Sequence, residues 1–375
     1  MRRNRTQVAT AVATVLAAAS GAAMADVPKL SEILDGSGIA VTGFVAASYY
    51  HSNGYPSNIH QFDIDHDTFQ LDQADLAIAY QPKEGFGAYV ELLAGEDARL
   101  VNAAENGTNS TFNLKQAYAQ YATGPLTVIA GKFVTLAGAE VISVTGNTNF
   151  SRSLLFFDAE PLTHTGVRAT YAVTDQVSLV AGVNNGWNST STSFGSKTGE
   201  LGVAFTPNKI FAATAQAYVG KTQGTAGTLA WDGEKSLVDV VLTYNATSQL
   251  TFVLNGDYDR QDNVVDTGTG ASFDAKWYGI AAYANYAIND NWRVSLRGEY
   301  LKDKDGFISG ANQSLKEGTI TVGYDPTKVF ELRVEVRYDK AGEDIFTRAV
   351  TFPEFSNNLF EFALQGVYKF PTPTT

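Results

Sequence analysis

Four arginines recur at a fixed spacing in two stretches of alternating character: Arg293 and Arg297 in WRVSLRGEY (residues 292–300), and Arg333 and Arg337 in FELRVEVRY (residues 330–338). A β-strand turns successive side chains to opposite faces. Each pair therefore shares a face with Glu299 or with Glu331 and Glu335, while Phe330, Leu332, Val334, Val336 and Tyr338 line the other face. Charged rows that line an aqueous bore set its ion preference. Together with Lys132 and Arg168, these arginines would form a positive wall. The long segment 134–163 would face it with Glu140, Asp158 and Glu160. A transverse field between the two orients dipolar solutes. The same arginines could instead pair with Glu299, Glu331 and Glu335 and hold the wall together, and the two arrangements are compatible.

Other chemistry is less well supported. Asp63, Asp65 and Asp67 give a D-x-D-x-D spacing of hard oxygen donors, but the Gly and distal Glu of an EF-hand loop are missing, so a solvated acidic loop is the simpler reading. The four histidines (51, 60, 66 and 164) do not stand beside a Ser and an acid at catalytic spacing. His164 reads as a polar residue where a loop meets a strand. Thiolate metal sites and thiol nucleophiles are excluded because the chain has no cysteine. No catalytic residues, cofactor or metal are expected.

The elements that must position these residues are strands. LTFVLNGDY (250–258) alternates in the same way, and 167–171, 177–183, 211–219, 278–288 and 360–370 are further members. Connections alternate in length. Short turns built from Pro, Gly, Asn, Asp and Thr fall at 81–85, 123–125, 174–175, 206–208, 247–248, 289–290 and 325–327. Longer ones, rich in Gly, Asn, Ser and Asp, fall at 51–68, 96–111, 134–163, 187–197, 221–233, 261–272, 303–313 and 340–357. Seven short and eight long connections join sixteen strands. Short turns on one rim and long loops on the other are the pattern of outer-membrane barrels. The third loop exceeds a simple connection and carries an apolar piece (136–144), so it is expected to fold into the lumen and narrow the pore.

Composition agrees. Outside the N-terminus no apolar run is long enough for a spanning helix, yet the 375 residues include 18 Tyr, 22 Phe and 34 Gly, suited to interfacial girdles and crowded strands. Arg2, Arg3 and Arg5, an apolar run at 8–19 and Ala23-Met24-Ala25 have the anatomy of a secretory signal peptide ending at residue 25. Without it the chain has 27 − 3 = 24 bases against 39 acids, a net charge of −15, which argues against nucleic acid as a partner. The 375 − 25 = 350 residues left give about 22 per strand and connection, enough for the roughly 9–11 that cross a bilayer.

Three stretches resemble the OmpL-like β-barrel porin family of Gram-negative bacteria: SGIAVTGFVAASY (37–49), AGKF (130–133), and above all NFSRS (149–153) through AEPLTHTGVR (159–168). The resemblance implies a passive outer-membrane channel without enzymatic activity. The expected architecture is an all-β, transmembrane, antiparallel up-and-down barrel over 39–370, after a signal peptide (1–25) and a lead-in (26–38, helical at 30–34), with a C-terminal tail at 371–375. Its partners would be outer-membrane lipid and lipopolysaccharide, small hydrophilic solutes, and copies of itself in a homotrimer, the usual assembly of general porins. The alternative is a barrel serving as a surface adhesin or a membrane-embedded enzyme.

Overall fold

The computed structural model describes residues 37–55, 59–191, 195–349 and 354–370. The signal peptide, the lead-in up to residue 36 with its expected helix, and the tail 371–375 lie outside the described residues. The strands are β1 (Ala40–Ser52), β2 (Thr68–Tyr80), β3 (Gly85–Ala94), β4 (Phe112–Thr123), β5 (Leu126–Val134) and β6 (Thr163–Ala172). They continue with β7 (Val177–Asn184), β8 (Thr198–Phe205), β9 (Phe211–Ala226), β10 (Leu229–Asn245), β11 (Leu250–Asp266) and β12 (Ser272–Ala287). The last are β13 (Trp292–Asp303), β14 (Gln313–Thr327), β15 (Phe330–Ala341), β16 (Phe346–Ala349), β17 (Glu354–Ser356) and β18 (Asn358–Lys369).

Alternation decides the fold, and its sense is inverted relative to a water-soluble protein. In β15, Glu331, Arg333, Glu335, Arg337 and Asp339 are at most 3% exposed, whereas Leu332, Val334, Val336 and Tyr338 are 36–47% exposed. Such a strand needs apolar surroundings outside and polar partners inside. Sixteen strands, β1–β15 and β18, meet this need as one closed antiparallel barrel in which β1 pairs with both β2 and β18. Closure leaves no free edge of unpaired N–H and C=O groups to face lipid. Exposed aromatics gather at both strand ends: Tyr80, Phe86, Tyr121, Tyr171, Tyr244, Trp292 and Tyr368 near the short turns, and Phe69, Phe112, Tyr300, Tyr338 and Phe360 near the long loops.

The strand count and six of the seven short turns agree with the sequence reading; the seventh falls at 328–329, because Asp325–Thr327 continue β14. Two long loops also differ. β9 and β10 run through the expected loop 221–233, leaving only residues 227–228 between them, and β11 and β12 shrink the next to 267–271. Gly224 and Gly233 are strand residues, while Gly227, Gly268 and Gly270 stay in the short turns. Gly224 pairs with Trp231, and a Cβ at Gly224 would come within 2.5 Å of the indole, so glycine makes room for the ring. Three of the remaining long loops carry helices or strands of their own. Loop 2 forms α1 (Glu96–Asn106), which ends at Gly107 with φ 70°. Loop 3 contains α2 (Leu154–Asp158), whose Ser153 cap accepts the Phe156 N–H, and loop 8 contains the β16–β17 hairpin.

Candidate functional site: the third loop and the lumen wall

Register converts the four-residue spacing of the arginines into two belts around the inner wall. Arg297 lies opposite Thr319, which lies opposite Arg337; Arg293 lies opposite Gly323, which lies opposite Arg333. Between the belts runs a row with Ser295, Thr321 and Glu335. At Gly323 a Cβ would come within 2.7 Å of the Arg293 guanidinium, so glycine leaves room for that side chain.

The third loop enters the barrel and lies on these belts. A backbone segment inside a lumen has no ladder partner, and its polar groups must be satisfied by side chains. The wall provides them in alternation. Arg293 donates to the Thr148 carbonyl (2.6 Å), Arg333 to that of Asn149 (3.3 Å), Arg297 to that of Ser151 (3.0 Å) and Arg337 to that of Arg152 (2.7 Å). Glu335 accepts the N–H groups of Phe150 (2.6 Å) and Ser151 (2.9 Å), and Glu299 accepts those of Leu154 (2.7 Å) and Leu155 (3.3 Å). The charged faces thus act as a hydrogen-bonding rail for residues 148–155.

From that rail the loop reaches most of the circumference. The Leu136 N–H meets the Tyr218 hydroxyl on β9, and the Ala139 N–H meets Asn255 on β11 (2.6 Å). On β2, Gln73 accepts the Val144 N–H and donates to the Ile142 carbonyl. The buried Arg152 stitches the two limbs together through the carbonyls of Val141, Ile142 and Phe150.

The residues expected to do chemistry are distributed as follows. Glu140 accepts from Arg297 (2.8 Å) and from the Ser153 N–H (2.6 Å). Glu160 is buried and Asp158 half-buried, and each has one buried oxygen without a hydrogen-bond partner, Glu160 Oε2 and Asp158 Oδ2. Burial, reinforced by Asp303, pushes the Asp158 carboxyl well above the ordinary range. Arg293 and Arg333 both pair with Glu331, and Arg297 pairs with Glu317 as well as Glu140. Wall pairing and the loop-to-wall attraction therefore coexist, meeting at Arg297. Lys132 and Arg168 have other partners: Lys132 binds Glu105 of α1, while Arg168 binds Glu200 and lies 4.2 Å from the Phe133 ring centre.

Loop 1 is fastened to the same wall. His60 stands 3.1 Å from Asp63, 3.4 Å from Glu361 and 3.5 Å from Asp339, with Arg337 also bonded to Asp63. Burial and Arg337 disfavour a charged imidazole, but Glu361, Asp63 and Asp339 outweigh them and push it up to about 10. Asp67, at φ 48°, pairs instead with His51 and His66, so Asp63 and Asp67 do not converge on a common point. His164, second residue of β6, bonds the Gly186 carbonyl and stacks on Tyr218.

Sequence reasoning missed the loop's own clasp, Arg152, and its counterparts Gln73, Tyr218 and Asn255. It also missed Asp239 and Asp257, the wall acids facing Glu160. Arg152 and the 149–153 run were visible only as part of a family-like motif. Two cavities flank the site. One of about 780 Å³ is lined by Trp187, Lys221, Trp231, Lys235, Gln261 and Phe307. The other, of about 210 Å³, lies between Glu91, Lys115, Gln116 and the loop residues Glu140 to Ser143.

Comparison with known proteins agrees with this architecture. The model of the family described as "Putative beta-barrel porin-2, OmpL-like" matches residues 38–370. No curated protein matches. Among solved structures, the outer-membrane channel DcaP of Acinetobacter baumannii superposes with a TM-score of 0.59 at 14% identity, covering 88% of this chain and 97% of its own. The trimer form of OmpT from Vibrio cholerae gives 0.61 at 12% identity, covering 88% and 99%. An anion-selective porin from Comamonas acidovorans gives 0.60 at 12%, also covering 88% and 99%. At these identities the likeness is one of fold.

Proposed function

Because the chain belongs to the OmpL-like β-barrel porin family of the bacterial outer membrane, we propose that it passes small hydrophilic solutes by passive diffusion, with the third loop as its constriction. The observation that carries this reading is the inverted alternation. Strands such as β15 turn charged side chains inward, and the third loop is anchored to them through buried Arg297, Arg333, Arg337, Glu299 and Glu335, an arrangement that supports a constriction. Glu140, Asp158 and Glu160 from the loop, and Arg293, Arg297, Arg333 and Arg337 from the wall, would set the field a solute meets; Lys132 and Arg168 would extend it along β5 and β6.

Membership of a porin family favours a channel over an enzyme. The surroundings of His164, a carbonyl and a tyrosine ring, give no support to the membrane-enzyme alternative. We also propose a homotrimer, following the trimer form known for OmpT. Lipid and lipopolysaccharide would contact the exposed apolar face. Liposome swelling with neutral sugars of increasing size tests the function. Entry of small sugars that falls with size supports diffusion, and liposomes that stay impermeable despite folded protein oppose it.

A further inference from the structure

The most unusual charge arrangement in the lumen lies on β10 and β11, one strand beyond the arginine belts. Asp239 on β10 and Asp257 on β11 are direct cross-strand partners, both facing inward. Like charges in that relation repel. Glu160, just after α2 in the third loop, joins them: one carboxylate oxygen of each lies within 4.8 Å of one from each of the others. The three residues are 5%, 0% and 4% exposed for Glu160, Asp239 and Asp257, and among the described residues none of them forms an ion pair.

The surrounding structure holds the carboxylates in place without neutralising them. Asn255 donates to Asp239 (2.9 Å) and, at longer range, to Asp257, while its own carbonyl accepts the Ala139 N–H. Gly138 has φ 87°, and a Cβ there would come within 1.9 Å of Glu160 Oε2, so the loop backbone closes tightly over that carboxylate. One oxygen on each acid is left buried and unpartnered: Glu160 Oε2, Asp239 Oδ1 and Asp257 Oδ2. Burying such charge without a partner is strongly unfavourable.

We propose that Glu160, Asp239 and Asp257 bind one Ca²⁺, which fastens the third loop to β10 and β11, one strand beyond the arginine-bearing β13. Oxygens that share an ion at roughly 2.3–2.6 Å can be no more than about 5 Å apart, as these are. Three carboxylates offer the hard, multiply coordinating oxygens Ca²⁺ favours. Mg²⁺ keeps several of its waters, and a pocket this buried has little space for them. The loop would then be held at two stretches of the wall, by arginines on β13 and β15 and by a cation on β10 and β11. This inference does not depend on which solutes the channel passes.

The test uses the full folded protein in detergent, washed with chelator and titrated with Ca²⁺ or Mg²⁺ under isothermal calorimetry, with bound metal counted by mass spectrometry. The comparison is an Asp239→Asn/Asp257→Asn variant, which keeps side-chain shape and relieves the repulsion, so folding is retained; gel mobility before and after heating checks this. One Ca²⁺ per wild-type chain, with Mg²⁺ weaker and saturable binding lost in the variant, supports the site. Folded wild type that binds no stoichiometric Ca²⁺ overturns it in favour of a proton shared between the aspartates. Equal binding by the variant also overturns it, placing the ion elsewhere on the barrel or in bound lipid. Conductance is measured separately, so a failure here is distinct from a failure of the channel reading.

Discussion

Replacing Arg297 by Met tests the account of how the third loop is held. Its side chain is fully buried and makes contacts to Glu140, Ser151, Glu317 and Thr319, joining a loop carboxylate to two wall strands. Met roughly preserves the aliphatic volume but leaves Glu140, Glu299 and Glu317 without this cation. Breaking a buried ion pair in this way costs about 3–5 kcal/mol, because the remaining partners are stranded. Glu140 belongs to the loop, so much of that loss falls on loop docking, and the open-loop population should rise on the order of 10²–10³-fold. Arg152 provides the readout. It is 2% exposed when the loop is docked and becomes a trypsin site when the loop is free. Cleavage through a rapidly closing opening tracks the open population. Arg297→Met should therefore be cut at Arg152 far faster than wild type, while the barrel keeps its heat-modifiable mobility. Arg260→Met removes only exposed ion pairs with Asp262 and Asp274 and should change cleavage little. Wild-type cleavage kinetics in a folded Arg297→Met protein would refute the anchoring argument.

Further outcomes follow from other parts of the structure. The raised His60 value means that its contribution is complete below the unfolded imidazole's ordinary 6.5 and is lost as pH climbs through about 10, so a ring NMR titration should place its midpoint well above 6.5; a midpoint at or below 6.5 would contradict the loop 1 latch. Gly131→Ala would set a Cβ 2.2 Å from the Ala117 carbonyl oxygen at φ 139°, costing about 1–3 kcal/mol or more in urea unfolding from lipid, whereas Gly318→Ala, with open space at its Cβ, should be near neutral. Ile320→Lys places a charge on the exposed face between Leu296 and Val336 and should cost about 2–4 kcal/mol if that face meets the middle of a bilayer; an unchanged unfolding midpoint would argue against lipid there.

The barrel was readable from sequence because strand alternation is local. FELRVEVRY states its two faces within nine residues, and turn residues mark its ends. The two misread loops show the limit of composition, since the glycine at 224 makes room for Trp231 on the neighbouring strand, a fact that exists only after pairing. The site was legible in its residue types but not in its connections. Arg297 and Glu140 were both singled out, yet their bond spans 157 positions and depends on where a long loop settles. Asp257 was read only as a polar-face residue of 250–258 and Asp239 not at all, because each is a single acid in an ordinary strand, and only register brings them together beneath Glu160. Asp63 and Asp67 drew notice for their spacing, but the chain turns them to different partners.

The central claim, an aqueous bore narrowed by a docked third loop, is tested most directly by single-channel recording in planar bilayers with wild type and Arg297→Met side by side. The account predicts stepwise conductance for wild type and larger or noisier steps when the loop is loosened. Folded, membrane-inserted protein that gives no steps in either form would contradict it.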